Sequence, residues 1–327
     1  MNVRMTASRL GLAAAACLAA APGPVCAQAR GTVTVDGFRS AALGVRKDYL
    51  IYLPPSYATA PTRRYPVAYY LHGAWGSEDD WAQKGGLDAV MDSLIAAGMP
   101  EMIVVMPDGD DGFYTTWAVP YHWKLCPARP DLREPAARYC VRDPRYDEYV
   151  ARDLVRDIDA TYRTLADARH RGIAGLSMGG FGALALAAEY PDEWVAAASH
   201  SGAVALLAQS VDTATGVVTY AARPDTAGQV WALLRPVFGA DTADWWRRDP
   251  LGRIRRMDAA ARGRLPALYA DIGTEDELLA SNRAFHLELS RLGVPLDYHE
   301  YPGRHDWPYW RAHLAQSLRW LSSHIAP

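Results

Sequence analysis

Cysteine, long apolar runs and charge of one sign are all scarce in this 327-residue chain. Four cysteines are present, and Cys17 and Cys26 fall within the first thirty residues. With no CxxC and no HExxH pattern, neither a metal site nor a metal-dependent chemistry is expected. Beyond residue 30 no stretch approaches the roughly 20 apolar residues that cross a bilayer. The formal charge is -3 and no basic run occurs, so no nucleic-acid partner is expected. Internal repeats and low-complexity tracts are absent too. Half of the residues are hydrophobic, which is the composition of a packed globular chain.

The first thirty residues stand apart. Arg4 and Arg9 precede an apolar run from Leu10 to Ala21, followed by Pro22, Gly23, Pro24, Val25 and "CAQA". A basic start, a short apolar core and a small-residue end make residues 1–29 a signal peptide, with cleavage after Ala27 or Ala29. The run is too short for a stable membrane anchor. Either cut removes two arginines and no acid, and leaves a mature charge of -5. The mature protein is then periplasmic or secreted. It keeps Cys126 and Cys140, which in an oxidising compartment most simply pair. The intervening "PARPDLREPAARY" has three prolines and few core residues, so a covalent staple is its plausible constraint.

The rest reads as one α/β domain, 30–327. Residues 31–38 and 45–54 alternate as strands. "YPVAYYLHG" (65–73), "MIVVMPDG" (102–109), "GIAGL", "WVAAASHSG", "ALYADIG" and "LDYHEYPG" are short, mostly apolar runs ending in turn residues. Between them, Leu87, Val90, Met91, Leu94 and Ile95 recur at helical spacing, as do Tyr146, Val150, Leu154, Ile158 and Tyr162. "FGALALAAEY" predicts a buried helix, Leu278 to Leu292 another, and Trp310 to Ile325 the last. Strands alternating with helices predict a mostly parallel central sheet with helices on both faces. Two stretches, about 113–145 and 203–264, break the rhythm and read as insertions near the active site. In such sheets the chemistry lies beyond the carboxyl ends of the strands.

The stretch "GIAGLSMGGFG" (172–182) holds five glycines around Ser177. Gly175-Leu176-Ser177-Met178-Gly179 fits G-x-S-x-G between a buried strand and a buried helix. That pattern makes a sharp turn holding the serine hydroxyl at the top of the sheet. Side chains at 175 and 179 would collide, while Gly180 and Gly182 would let the helix approach the sheet. Gly172 has no part in that turn.

A serine needs a base, and the base an orienting acid, in chain order serine, acid, histidine. His305 lies in a loop after the last strand. His200 and His299 fall in strands, His313 and His324 in the final helix, and His72 beside a candidate oxyanion loop. Each of these has a structural explanation. Asp276 is the acid expected in the loop after "YADIG", with Asp271 and Glu275 as alternatives. The oxyanion donors expected are the backbone N–H groups of Met178 and Ala74, with Gly73 second. Tyr114, Trp117, Trp123 and Trp307 are candidates for the substrate wall, because aromatic rings stack on sugars and aromatic acids.

"YYLHGAWGSEDDW", "IAGLSMGGFGALALAAEYPDEW", "DIGTEDELLASNRAFHLEL" and "YPGRHDWPYW" resemble the esterase D family of α/β-hydrolases over about residues 40–325. That family includes feruloyl esterases, S-formylglutathione hydrolases and mycolyltransferases. The resemblance implies the α/β-hydrolase fold and ester hydrolysis through an acyl-enzyme, without a cofactor. It supports Ser177, Asp276 and His305 at the matching positions. The sequence departs from the cytosolic S-formylglutathione hydrolases in its leader and in residues 113–145 and 203–235. The expected function is therefore an exported serine esterase acting on a small-molecule or carbohydrate-linked ester. An acyltransferase would use the same triad with an alcohol acceptor. A non-catalytic carbohydrate-binding or adhesion protein would carry a damaged triad.

Overall fold

The computed structural model describes residues 29–119, 124, 126, 135–222 and 228–327. The expected leader and Trp123 lie outside the described residues, apart from Ala29 at the leader's end. Among the described residues ten strands are formed: β1 (Thr32–Arg39), β2 (Arg46–Leu53), β3 (Val67–Leu71), β4 (Ile103–Pro107), β5 (Arg171–Leu176), β6 (Ala196–His200), β7 (Ala208–Asp212), β8 (Val217–Tyr220), β9 (Ala267–Gly273) and β10 (Asp297–Tyr301). Eight of them make one sheet in the order β1-β2-β4-β3-β5-β6-β9-β10. Only β2 runs antiparallel to its neighbours β1 and β4; the pairs from β4 to β10 are parallel.

The central strands β3, β4, β5 and β6 are buried at every residue, which is why their sequences run apolar instead of alternating. Period-two geometry still divides them. Tyr69, Leu71, Ile173 and Ala197 join the core on one face. Ala68, Tyr70, Ala174 and Ala198 join the core on the other. Helix α1 (Leu87–Ala96) packs its Leu87, Met91 and Leu94 on the second face. The first face receives α2 (Val155–Thr161), α3 (Met178–Glu189) and α4 (Leu279–Arg291). The last helix, α5 (Trp307–Ile325), returns to the second. Helix α3 is buried from Met178 to Ala188, in keeping with its all-round apolar sequence. The α2 segment is preceded by a π-helical turn, Tyr149–Leu154, inside the stretch whose spacing predicted one regular helix.

The insertion at 203–264 carries more structure than its mixed sequence suggested. It holds the β7–β8 hairpin and helices at Gly228–Phe238, Thr242–Arg248, Pro250–Arg256 and Ala259–Arg262. Val204, Val237, Phe238, Leu251 and Ile254 are buried in the first-face core, so the insertion is welded to the domain. Gly172 also gains a reason: a side chain there would meet Leu321 and Ile325 of α5, which lies directly against β5. Cys126 and Cys140 are joined by a disulfide with Cα atoms 5.6 Å apart. Among the described residues no helix is long and apolar enough to cross a membrane.

Candidate active site

Ser177 follows β5 directly, at φ 53° and ψ -115°, and α3 starts at the next residue. A non-glycine residue at positive φ is costly and persists only where its surroundings over-determine it. Here the Ser177 N–H donates to the His200 carbonyl (2.9 Å) and the Ser177 carbonyl accepts from Phe181 N–H (3.0 Å). A Cβ on Gly175 would overlap the Gly179 backbone, and one on Gly179 would overlap the Leu71 and His72 carbonyls. The paired glycines thus allow the turn itself and its seat against β3.

His305 lies beyond β10, and Asp276 beyond β9. The Ser177 hydroxyl is 2.8 Å from His305 Nε2, and His305 Nδ1 is 2.9 Å from Asp276 Oδ2. A carboxylate only accepts, so Nδ1 carries the proton and Nε2 is left to take the serine proton. The other oxygen of Asp276 accepts from Leu278 N–H (2.8 Å), which fixes the carboxylate plane. Asp276 has no side-chain exposure, while His305 keeps 17%. Trp310 supports the imidazole edge-on, with ring centroids 5.0 Å apart. The two alternatives to Asp276 are engaged elsewhere. Glu275 pairs with Arg304 at the surface (3.0 Å). Asp271 is fully buried beside His200 Nδ1 (2.7 Å) and accepts from the Tyr309 hydroxyl (2.9 Å).

The expected oxyanion donors belong to the two backbone segments next to Ser177. Met178 opens α3, where the first N–H groups of a helix lack intrahelical acceptors. Ala74 follows Gly73, and a Cβ on Gly73 would come within 3.4 Å of Ser177 Cβ. His72 is buried and structural. Its Nε2 accepts from Gly109 N–H (2.9 Å), so its Nδ1–H donates to the Gly73 carbonyl (2.8 Å).

Beneath this loop lies a buried charge cluster. Lys47, with no side-chain exposure, pairs with Asp108 and with Asp110 Oδ1 (2.7 Å), and Tyr146 donates to Asp110 Oδ2 (2.6 Å). One ammonium serves two carboxylates. Against the upward pull of burial, Lys47 holds Asp108 well below the usual carboxylate range. Burial and the Asp108 charge push Asp110 up to about 7. Nothing in the sequence around Lys47 marked it as buried.

The aromatic candidates separate. Tyr114 is not a wall residue: it is wholly buried, with its ring against Gly109 and Gly182 and its hydroxyl donating to the His72 carbonyl (3.1 Å). Gly182 therefore makes room for Tyr114 and not for the sheet. Trp117 stacks on Tyr146 and lines a groove with Leu43, Val119 and Arg142 that contains no member of the Ser177 cluster. Trp307 stays close to the cluster, half-buried and edge-on to Trp310 (5.4 Å). Trp75, which the sequence reading did not single out, is 50% exposed in the loop after β3. It lines a cavity of about 450 Å³ with Arg138 and Tyr139, just before Cys140, and Ser177, Asp276 and His305 do not line that cavity either. A larger cavity, about 710 Å³, is lined by Ala267 and Asp297. Those are the first residues of β9 and β10, so it sits at the amino ends of the strands, away from this chemistry.

The model of the family described as "Putative esterase" matches residues 40–321, and the chain belongs to that family. It is 31% identical over 278 residues to Esterase Rv1288 of Mycobacterium tuberculosis, an alignment covering 82% of this chain and 54% of that protein. The chain thus spans about half the length of that curated relative. Among solved structures it resembles a ferulic acid esterase, with TM-score 0.69, 27% identity and coverage of 91% of this chain and 99% of that one. An S-formylglutathione hydrolase from Agrobacterium tumefaciens shares the fold at TM-score 0.65 and 21% identity, covering 91% and 97% of the two chains. The sheet, the helices on both faces and these neighbours define an α/β-hydrolase.

Proposed function

We propose that the protein is a serine carboxylic-ester hydrolase with Ser177 as nucleophile, His305 as base and Asp276 as orienting acid. One observation carries this reading: an unbroken line from Ser177 Oγ through His305 to a buried Asp276, at the carboxyl ends of β5, β10 and β9. Ser177 Oγ attacks the ester carbonyl carbon as its proton passes to His305 Nε2. The Ala74 and Met178 N–H groups receive the negative carbonyl oxygen. His305 then returns the proton to the departing alcohol, leaving an acyl-Ser177 ester. Water, deprotonated by the same nitrogen, releases the acid and restores the serine.

The substrate side is read from the walls. Exposed Trp75 and half-buried Trp307 favour an ester with an aromatic or sugar component, and the likeness to a ferulic acid esterase points the same way. The disulfide tethers the segment ending in Arg138 and Tyr139, which line the cavity beside Trp75. It also agrees with the export that residues 1–29 suggest. The test is a panel of chromogenic esters of rising acyl length plus a feruloyl ester, with wild type and Ser177→Ala. Wild type turns over the panel and the variant does not. Reducing Cys126–Cys140 raises KM for the feruloyl ester more than for the acetyl ester. Hydrolysis by Ser177→Ala would overturn the assignment, and an equal effect of reduction on both esters would detach the tethered segment from the substrate.

A further inference from the structure

Among the described residues, non-glycine residues at positive φ are confined to Trp75, Asp110, Phe113, Tyr114, Ser177 and Ser201. Each belongs to one of the loops that leave β3, β4, β5 and β6 at their carboxyl ends. Strain of this kind is costly and needs something to hold it. For Ser177 the glycines and the backbone hydrogen bonds do so. At Trp75, φ 59°, the N–H donates to Asp111 Oδ1 at 2.6 Å.

The position of that bond gives it a consequence for Ala74. A trans peptide points its N–H opposite to its C=O. The Gly73 carbonyl is fixed from two sides, by His72 Nδ1–H (2.8 Å) and by Gly76 N–H (3.1 Å), and this sets the direction of the Ala74 N–H. The next peptide plane, Ala74–Trp75, is held by Asp111. Ala74 therefore sits between two clamped planes. Asp111 can serve as a clamp because its own loop is rigid. Asp110 is tied to Lys47 and Tyr146, Gly109 N–H to His72, and the Tyr114 hydroxyl to the His72 carbonyl.

We propose that Asp111 is a positioning residue for ester hydrolysis: by gripping the Trp75 N–H it keeps the strained oxyanion loop turned so that the Ala74 N–H faces the acyl oxygen. This rests on the reading of Ser177 as the nucleophile. Its benefit is geometric and not electrostatic, since a carboxylate near a developing oxyanion opposes that charge. Loss of the acceptor lets Trp75 relax toward negative φ; the Gly76 N–H then leaves the Gly73 carbonyl, and the Gly73–Ala74 plane that carries the Ala74 N–H is held by His72 alone. Losing a whole oxyanion donor lowers kcat by about 10²–10³. A donor that is loosened but not removed is expected to cost roughly ten- to a hundredfold.

The experiment compares wild type, Asp111→Ala, Asp111→Asn and Ser177→Ala on one short chromogenic ester. Active sites are counted by prolonged titration with a fluorophosphonate. Binding of a trifluoromethyl ketone, which mimics the tetrahedral state, is measured alongside. Asp111→Ala is expected to lower kcat per titrated site at least tenfold with KM within twofold, and to weaken the ketone by the same factor as kcat/KM. Asp111→Asn keeps an oxygen acceptor without the charge, so its kcat equals or exceeds that of wild type. An unchanged kcat per titrated site in Asp111→Ala overturns the proposal, whatever its melting temperature, because a structural role moves only the active fraction. A loss in Asp111→Asn matching that in Asp111→Ala overturns it as well. Activity remaining in Ser177→Ala is a separate failure, that of the nucleophile assignment.

Discussion

Two sets of serine, histidine and aspartate meet in this molecule, and they share a strand. From the end of β9, Asp271 approaches His200 Nδ1 at 2.7 Å, and His200 Nε2 lies 2.7 Å from the Ser317 hydroxyl. Three residues after the strand, Asp276 contacts His305 at 2.9 Å, and His305 contacts Ser177 at 2.8 Å. By residue type and separation the two are nearly interchangeable. Everything else differs. Ser317 is 0% exposed, sits mid-helix in α5, and has a hydroxyl already donating to the Leu314 carbonyl (3.1 Å). The Asp271–His200 approach is also out of line for a hydrogen bond. Ser177 lies on a strained turn with a helix N-terminus behind it and a second loop in front. The contrast teaches that side-chain order does not make a nucleophile. On the assignment proposed above, backbone geometry does, by supplying access and helix N-terminal N–H donors to Ser177.

The sharpest way to break this comparison is to remove each serine in turn. Ser177→Ala is expected to lower kcat/KM by at least about 10⁴, leaving only the catalysis of binding and the oxyanion donors. Ser317→Ala, assayed per folded molecule, is expected to stay within about threefold of wild type, because nothing reacts there. Steady-state kinetics on a short ester decides it.

The two acids come next. Asp276→Asn is expected to cost roughly 10³–10⁴ in kcat, since an amide cannot hold the His305 tautomer or stabilise its cation. Asp271→Asn is expected to cost under tenfold in kcat. It lowers the melting temperature instead, because a buried carboxylate facing His200 and Tyr309 is replaced. A larger kinetic loss in Asp271→Asn, with circular dichroism unchanged, would transfer the acid role to the buried set.

When stability is read in place of rate, the ranking inverts. Ser317→Ala leaves His200 Nε2 without its partner and removes a contact to the Tyr70 hydroxyl (3.1 Å), at an expected cost of about 1–3 kcal/mol. Ser177→Ala removes one hydroxyl contact at a half-exposed position and is expected to stay within about 0.5 kcal/mol. Urea unfolding of both variants checks the inversion.

The sheet was legible because its central strands are continuous apolar runs closed by turn residues. The turn at Ser177 was legible because glycines at 175 and 179 have no other use at that spacing. His305 stood out by its place in a loop after the last strand. The choice between Asp271 and Asp276 was less visible, since both lie near the end of β9 and differ by which histidine each faces. What escaped was long-range. Tyr114 was a candidate for the substrate wall, yet Gly109 and Gly182 open a slot for its ring in the core. Lys47 stands in an alternating strand, where a lysine normally points to solvent. The grip of Asp111 on Trp75 joins two loops 36 residues apart, and local pattern carries no trace of it.

The central claim is that only one of the two serines is a nucleophile, and covalent labelling tests it most directly. Wild type and Ser177→Ala are incubated with a fluorophosphonate and the modified peptide is identified by mass spectrometry. The expected result is one phosphonyl group on Ser177 in wild type, none on Ser317, and no labelling of Ser177→Ala. A phosphonyl group on Ser317, or labelling that persists in Ser177→Ala, would contradict the account.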